Sequence, residues 1–228
     1  MRTLWLLAVL GIGCGSSSAA RDAGGPGDGS GGPAAPNFSF FITSSGIANG
    51  GDFRSSPADS DGLAGADAFC RMKAVAAVPA AAARTWRAYL STDTLNAKDR
   101  IGAGPWFNIR GVMIAASVAA LHDPASNAIN KASGLDETGA GVPGRGDSPN
   151  QHDILTGSNA AGTSNGNHCA NWTSSAATGV TAQVGHFDRM GGGTDPMSWN
   201  SAHATQGCSA AALVPTGGRG SIYCFAAD

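Results

Sequence analysis

The sequence predicts an α+β fold with long loops, fastened by two disulfides. Helical periodicity is confined to one stretch, Leu63 to Ala77, while the other apolar runs are strand-length. Behind an export signal the chain keeps an even number of cysteines: Cys70, Cys169, Cys208 and Cys224. The 228 residues include 34 glycines and only 13% charged side chains, a loop-rich composition that fits one domain plus a targeting segment.

The chain opens with Met1-Arg2-Thr3 and the apolar run Leu4 to Leu10, too short to span a bilayer but the length of a signal-peptide core. Gly11-Ile12-Gly13-Cys14 resembles the lipobox of bacterial lipoproteins, which implies residues 1–14 as a signal ending at an acylated Cys14. Gly11 stands where that motif has an aliphatic residue, and an ordinary secretory signal would instead remove Cys14. Either signal exports the domain. Residues 15–37 contain no large apolar side chain and read as a disordered tether reaching about 25 Å.

The folded domain is expected over 38–228. Phe38 to Ser44 is aromatic and β-branched, a strand. Asp61 offers an N-cap for a helix whose Leu63, Ala66, Cys70, Ala74 and Ala77 share one face. Asp67, Arg71 and Lys73 are expected to point to water, and Pro79 ends the pattern. Thr85 to Leu90 alternates as a strand with Trp86, Ala88 and Leu90 on one face. Gly111 to Ala116, Ile154-Leu155 and Ala211 to Val214 are short strand candidates, and Ser221 to Ala226 reads as a closing strand, central or beside the first. The loops between them are long enough to be functional surfaces.

The four cysteines allow three pairings, among which spacing does not choose. Dispersed and lacking Cys-x-x-Cys, they do not form a zinc motif.

Gly62 to Cys70, Thr85 to Ser91, Ile154 to Ser158, Cys169 to Thr173, Gly207-Cys208 and Ile222 to Phe225 resemble, in that order, the endostatin-like branch of the C-type lectin-like fold. The resemblance covers residues 38–228 and is close to bacterial endostatin-like lipoproteins, some from spirochaetes. It implies pairing of Cys70 with Cys224 and of Cys169 with Cys208. It implies no zinc, because the family's histidines lie near the domain start and Phe38 to Ser60 has none. Basic residues number 12 against 14 acidic over 38–228, which argues against heparin. Trp199-Asn200-Ser201 lacks the acidic calcium ligand of sugar-binding lectins.

Bottom-up, His152-Asp153, His168, His186, Asp188 and His203 lack the spacing of a metal or acid-base motif, so loop histidines making ordinary hydrogen bonds are expected. No Gly-x-Ser-x-Gly elbow occurs, and disulfides would consume the thiols. Asp136-Glu137 reads as a turn or structural hydrogen-bonding pair, being too few oxygens for calcium. Arg145-Gly146-Asp147 reads as coincidence on an exposed loop, and Trp106, Trp172 and Trp199 as core.

The net charge of −2 gives no footprint for nucleic acid. The expectation is therefore a cell-envelope lipoprotein, at the outer membrane or cell surface, acting as a non-catalytic binding or adhesion module for an extracellular protein or glycan. No catalytic residue, metal or cofactor is expected. The alternatives are a structural envelope protein and, last, an unrecognised hydrolase.

Overall fold

The computed structural model describes residues 34–228 together with Met1. Cys14 and the tether as far as residue 33 lie outside the described residues. Ala35, three residues before the expected start at Phe38, donates its backbone N–H to Ile109 O. No helix among the described residues is long and apolar enough to cross a membrane.

A mixed sheet organises the domain. Its strands are β1 (Phe40–Ile42), β2 (Trp86–Ala88), β5 (Asp153–Leu155), β6 (Gln183–His186), β7 (His203–Ala204) and β8 (Gly218–Ala226), while β3 (Trp106–Phe107) and β4 (Met113–Ala115) form a separate ribbon. The closing strand β8 is central. Antiparallel β1 pairs with it through Phe41 opposite Cys224, antiparallel β2 through Ala88 opposite Cys224, and parallel β5 through Leu155 opposite Ile222. β6 extends the sheet from β5, and β7 extends it from β6.

β1 and the Ile222 to Ala226 end of β8 read as continuous apolar runs because both faces of the sheet are covered there. Alternation sends Phe41, Trp86, Ala88, Leu90, Leu155, Ile222 and Cys224 into one core with the long helix that carries Leu63, Ala66, Cys70 and Ala74. Phe40, Ile42, Tyr89, Ile154, Tyr223 and Phe225 enter the other, with Trp106 and Trp199. All three expected core tryptophans are buried.

Helix α1 (Leu63–Ala77) has Gly62, not the expected Asp61, as its N-cap, with no side-chain cap bond; Asp61 Oδ1, one residue earlier, accepts from the Leu63 N–H at 2.9 Å. Cys70 lies on its buried face. Asp67 does not point to water. Its carboxylate is buried, accepting from the Ala88 N–H at 2.9 Å, Arg87 at 2.8 Å and Arg100 at 2.9 Å. A backbone N–H of β2 and a buried guanidinium thus share one anion, a demand the helical pattern alone does not display.

Ala211 to Val214 is not a strand. Its alanines lie in the short helix α4 (Ala210–Leu213), capped by Ser209 Oγ accepting from the Ala212 N–H at 3.1 Å. Alanine's high helix propensity and the serine cap prevail over the apolar run.

The disulfides are Cys70–Cys224, joining α1 to β8, and Cys169–Cys208. The short α3 (Cys169–Trp172) is left-handed, with φ between 50° and 62° in four consecutive non-glycine residues. Such backbone costs about 1–2 kcal/mol per residue. The disulfide, the Trp172 indole N–H on Ser91 O and the Asp93 N–H on Asn171 Oδ1 hold it in place.

Candidate functional site

Three neighbouring strands bring three histidines to one point. His152 immediately precedes β5, Asp153 begins it, and Asp153 lies directly opposite His186 at the end of β6. His203 starts β7, opposite Val184. The His152 and His186 rings stack with centroids 4.0 Å apart, and the His203 ring meets that of His186 edge-on at 4.9 Å. The backbone makes room for them at Gly191, whose φ is +123°. A Cβ there would stand 2.9 Å from His152 Cε1 and 3.1 Å from His186 Cε1.

Each of these rings is oriented through Nδ1. His152 Nδ1 lies 3.1 Å from Asp188 Oδ1, His186 Nδ1 3.1 Å from Pro196 O and His203 Nδ1 3.1 Å from Ala204 O. Carbonyl and carboxylate oxygens only accept, so each Nδ1 carries a proton, and each ring in its neutral form presents a lone pair at Nε2. All three Nε2 atoms converge on Asp153 Oδ1, at 3.3, 3.3 and 3.5 Å. Both Asp153 oxygens are buried, and neither accepts a well-formed hydrogen bond.

Burial pushes the Asp153 carboxyl up, but the His186 and His203 imidazoles outweigh it and hold it below the usual carboxylate value. His203 is raised by the same carboxylate. Burial also pushes Asp188 up, yet its bonds to His152 and the Arg145 N–H leave it lowered. The result is an anionic, nitrogen-rich centre at the floor of an open pocket of about 390 Å³ lined by His152, His186, His203, Gly192, Gly193 and Thr216, with the His203 side chain 19% exposed.

The expectation of loop histidines making ordinary hydrogen bonds holds for the Nδ1 bonds of His152, His186 and His203 but not for their placement: two lie on strands and one abuts a strand, and strand register rather than chain distance brings them together. It holds for His168. That ring caps α3, Nδ1 accepting from the Asn171 N–H at 2.8 Å while Nε2 meets Asp93 at 3.0 Å. Asp136 and Glu137 are buried hydrogen-bond acceptors, the first closing its own turn and the second holding the Ser44 N–H and Lys73. The Arg145-Gly146-Asp147 segment is exposed, and its aspartate is engaged by Lys131 and by the Gly144 N–H.

A second feature was not singled out in the sequence. A cleft of about 450 Å³ lies between the loops after α2 (Val118–His122) and before β7, lined by His122, Asn127, Asn130, Arg189, Met197 and Asn200. Its polar walls are held by internal bonds: Arg189 donates to Ile129 O and Asn127 Oδ1, and Asn200 Nδ2 donates to the Tyr89 hydroxyl and to Asn159 O. Only the density of Asn, Ser and Gly in these loops hinted at it.

In comparisons with known proteins, the chain matches no protein-family model and no curated protein sequence.

Proposed function

We propose that this chain is an exported, membrane-tethered binding module of the endostatin-like, C-type lectin-like type, which captures an extracellular protein or glycan without catalysing a reaction. The observation that carries this reading is the cleft beside His122 and Asn200. It combines a mainly apolar wall from Pro124, Ile129, Met197 and Trp199 with polar groups already locked by hydrogen bonds, so binding there costs little ordering entropy. Amide, imidazole and guanidinium groups offer donors and acceptors to a polyhydroxyl or peptide ligand.

Two further observations support it. Both disulfides fit an oxidising compartment, as an exported chain requires. The lipobox-like Gly11-Ile12-Gly13-Cys14 and the following Gly- and Ser-rich stretch would supply an anchor and a spacer.

The test is an array of glycans and extracellular matrix proteins probed with the purified chain and with Met197→Glu. Met197 is 60% exposed on the cleft rim, so the fold tolerates the change. Saturable binding that Met197→Glu weakens about tenfold or more supports the reading, as about 1.4 kcal/mol is lost when a carboxylate enters the contact. Absence of saturable binding to every array member overturns it in favour of a structural envelope role.

A further inference from the structure

The geometry points to a zinc site made by His152, Asp153, His186 and His203, separate from the cleft. The ligand is a divalent transition cation of the zinc class, held by three imidazole nitrogens and one carboxylate oxygen.

Distance decides it first. Arms of 2.0–2.1 Å place the corners of a tetrahedral zinc site about 3.3–3.4 Å apart. The structure has Asp153 Oδ1 at 3.3 Å from His152 Nε2, 3.3 Å from His186 Nε2 and 3.5 Å from His203 Nε2, and the last two nitrogens are 3.0 Å apart. Four of the six edges of the tetrahedron thus fall near the required length. His152, Asp153 and His186 also offer ligand atoms that all lie within 4.8 Å of one another.

Proton placement decides it second. In the neutral tautomers that the Nδ1 partners select, three Nε2 lone pairs and a buried carboxylate face one another. Acceptors packed this closely repel unless a further proton on a ring or a metal cation lies between them, and a metal satisfies all of them at once. Nδ1 partners of this kind are what metal-bound histidines use to fix tautomer and ring orientation, and the Asp188–His152 pair is a carboxylate–histidine arm aimed at the centre. Nitrogen and carboxylate donors without sulfur suit zinc; His152, Asp153 and His186 form the tight ligand set, and His203 joins it through Asp153 and His186 from the side of the open pocket. Bound metal would tie the ends of β5, β6 and β7 together.

The test uses the purified chain, stripped with a chelator and then titrated with Zn²⁺ or Co²⁺ alone. One Zn²⁺ should bind per chain and raise the melting temperature, and Co²⁺ should give the intense visible bands of a tetrahedral ion. His203→Gln, at the least buried ligand, should weaken zinc at least as much as Asp188→Asn, which removes only the orienting carboxylate and should cost about 10–100-fold. Circular dichroism checks that both variants fold. Should a variant unfold, the Co²⁺ spectrum of the unmodified chain still decides. A pale octahedral spectrum, no binding by the folded stripped protein, or undiminished zinc affinity in folded His203→Gln overturns the assignment.

Discussion

The Tyr89 hydroxyl lies 2.6 Å from His122 Nε2, while His122 Nδ1 meets the Val118 carbonyl at 2.8 Å. The carbonyl fixes the proton on Nδ1, so Tyr89 donates to Nε2 and accepts from Asn200 Nδ2 at 3.0 Å. The chain of bonds joins β2, α2 and the loop before β7 behind the cleft.

This arrangement requires neutral His122. Burial lowers its pKa below the ordinary 6.5, with the Val118 bond opposing and Lys98 assisting. Because the folded value is depressed, the unfolded chain takes up the proton first as pH falls. Stability should therefore decline from near pH 6.5 downward until the folded value is reached, and then level off. Urea midpoints of the parent and of His122→Gln between about pH 5 and 8 check this, since the difference between the two should shrink on acidification. A constant difference would show that His122 does not contribute to the acid side of the profile.

Asp67 presents the opposite case, a charge that the fold must keep. Arg100 is 9% exposed at its side chain and donates to both Asp67 oxygens, so Asp67→Asn strands a buried guanidinium. The expected loss is about 3–5 kcal/mol, read from chemical denaturation. Replacing Arg100 with Met in the same background should recover part of it, because the uncompensated charge is then gone. Failure of the double variant to recover any stability would assign the loss to the Ala88 N–H and Arg87 bonds instead.

How far the sequence reaches is visible at these same residues. The helix Leu63 to Ala77, the strands at Phe40, Trp86, Asp153 and Tyr223, and the burial of all three examined tryptophans follow from period and residue type, which are local. Ala211 to Val214 misleads because a short apolar run serves strand and helix alike, and Ser209 settles it. The residue types of the histidine centre are local information, but their assembly is not. His152, His186 and His203 meet only because β6 pairs with β5 in the register Asp153 opposite His186, and register is a tertiary quantity. His122 was passed over for the same reason, since its partner Tyr89 lies 33 residues away.

Gly65 separates packing from propensity. It stands inside α1, where alanine would ordinarily gain about 1 kcal/mol. A Cβ at that position would lie 1.8 Å from the Phe53 carbonyl oxygen, which is backbone and cannot rotate away. Gly65→Ala should consequently destabilise by about 1–3 kcal/mol, reversing the sign of the propensity effect. The neighbouring Ala64 is exposed, and Ala64→Gly should cost only about 1 kcal/mol. A Gly65→Ala protein more stable than the parent would refute the close approach of α1 to the Phe53 segment.

The two disulfides should differ in their worth while sharing their inaccessibility. Cys70–Cys224 closes a separation of 154 residues and Cys169–Cys208 one of 39. On the chain-entropy account these contribute about 5 and about 4 kcal/mol, so the paired alanine variant at Cys70 and Cys224 should show the lower urea midpoint. All four cysteines are fully buried, however, which denies an attacking thiolate its in-line approach to either sulfur in the folded chain. Reduction in native buffer should then proceed no faster than global or sub-global opening, and should accelerate with denaturant along the unfolding limb. Alkylation and mass analysis during a timed reduction measures this for each bridge. If Cys169–Cys208 is reduced well ahead of unfolding, the left-handed turn at Cys169 to Trp172 opens independently, and the strain held there is released locally rather than with the sheet.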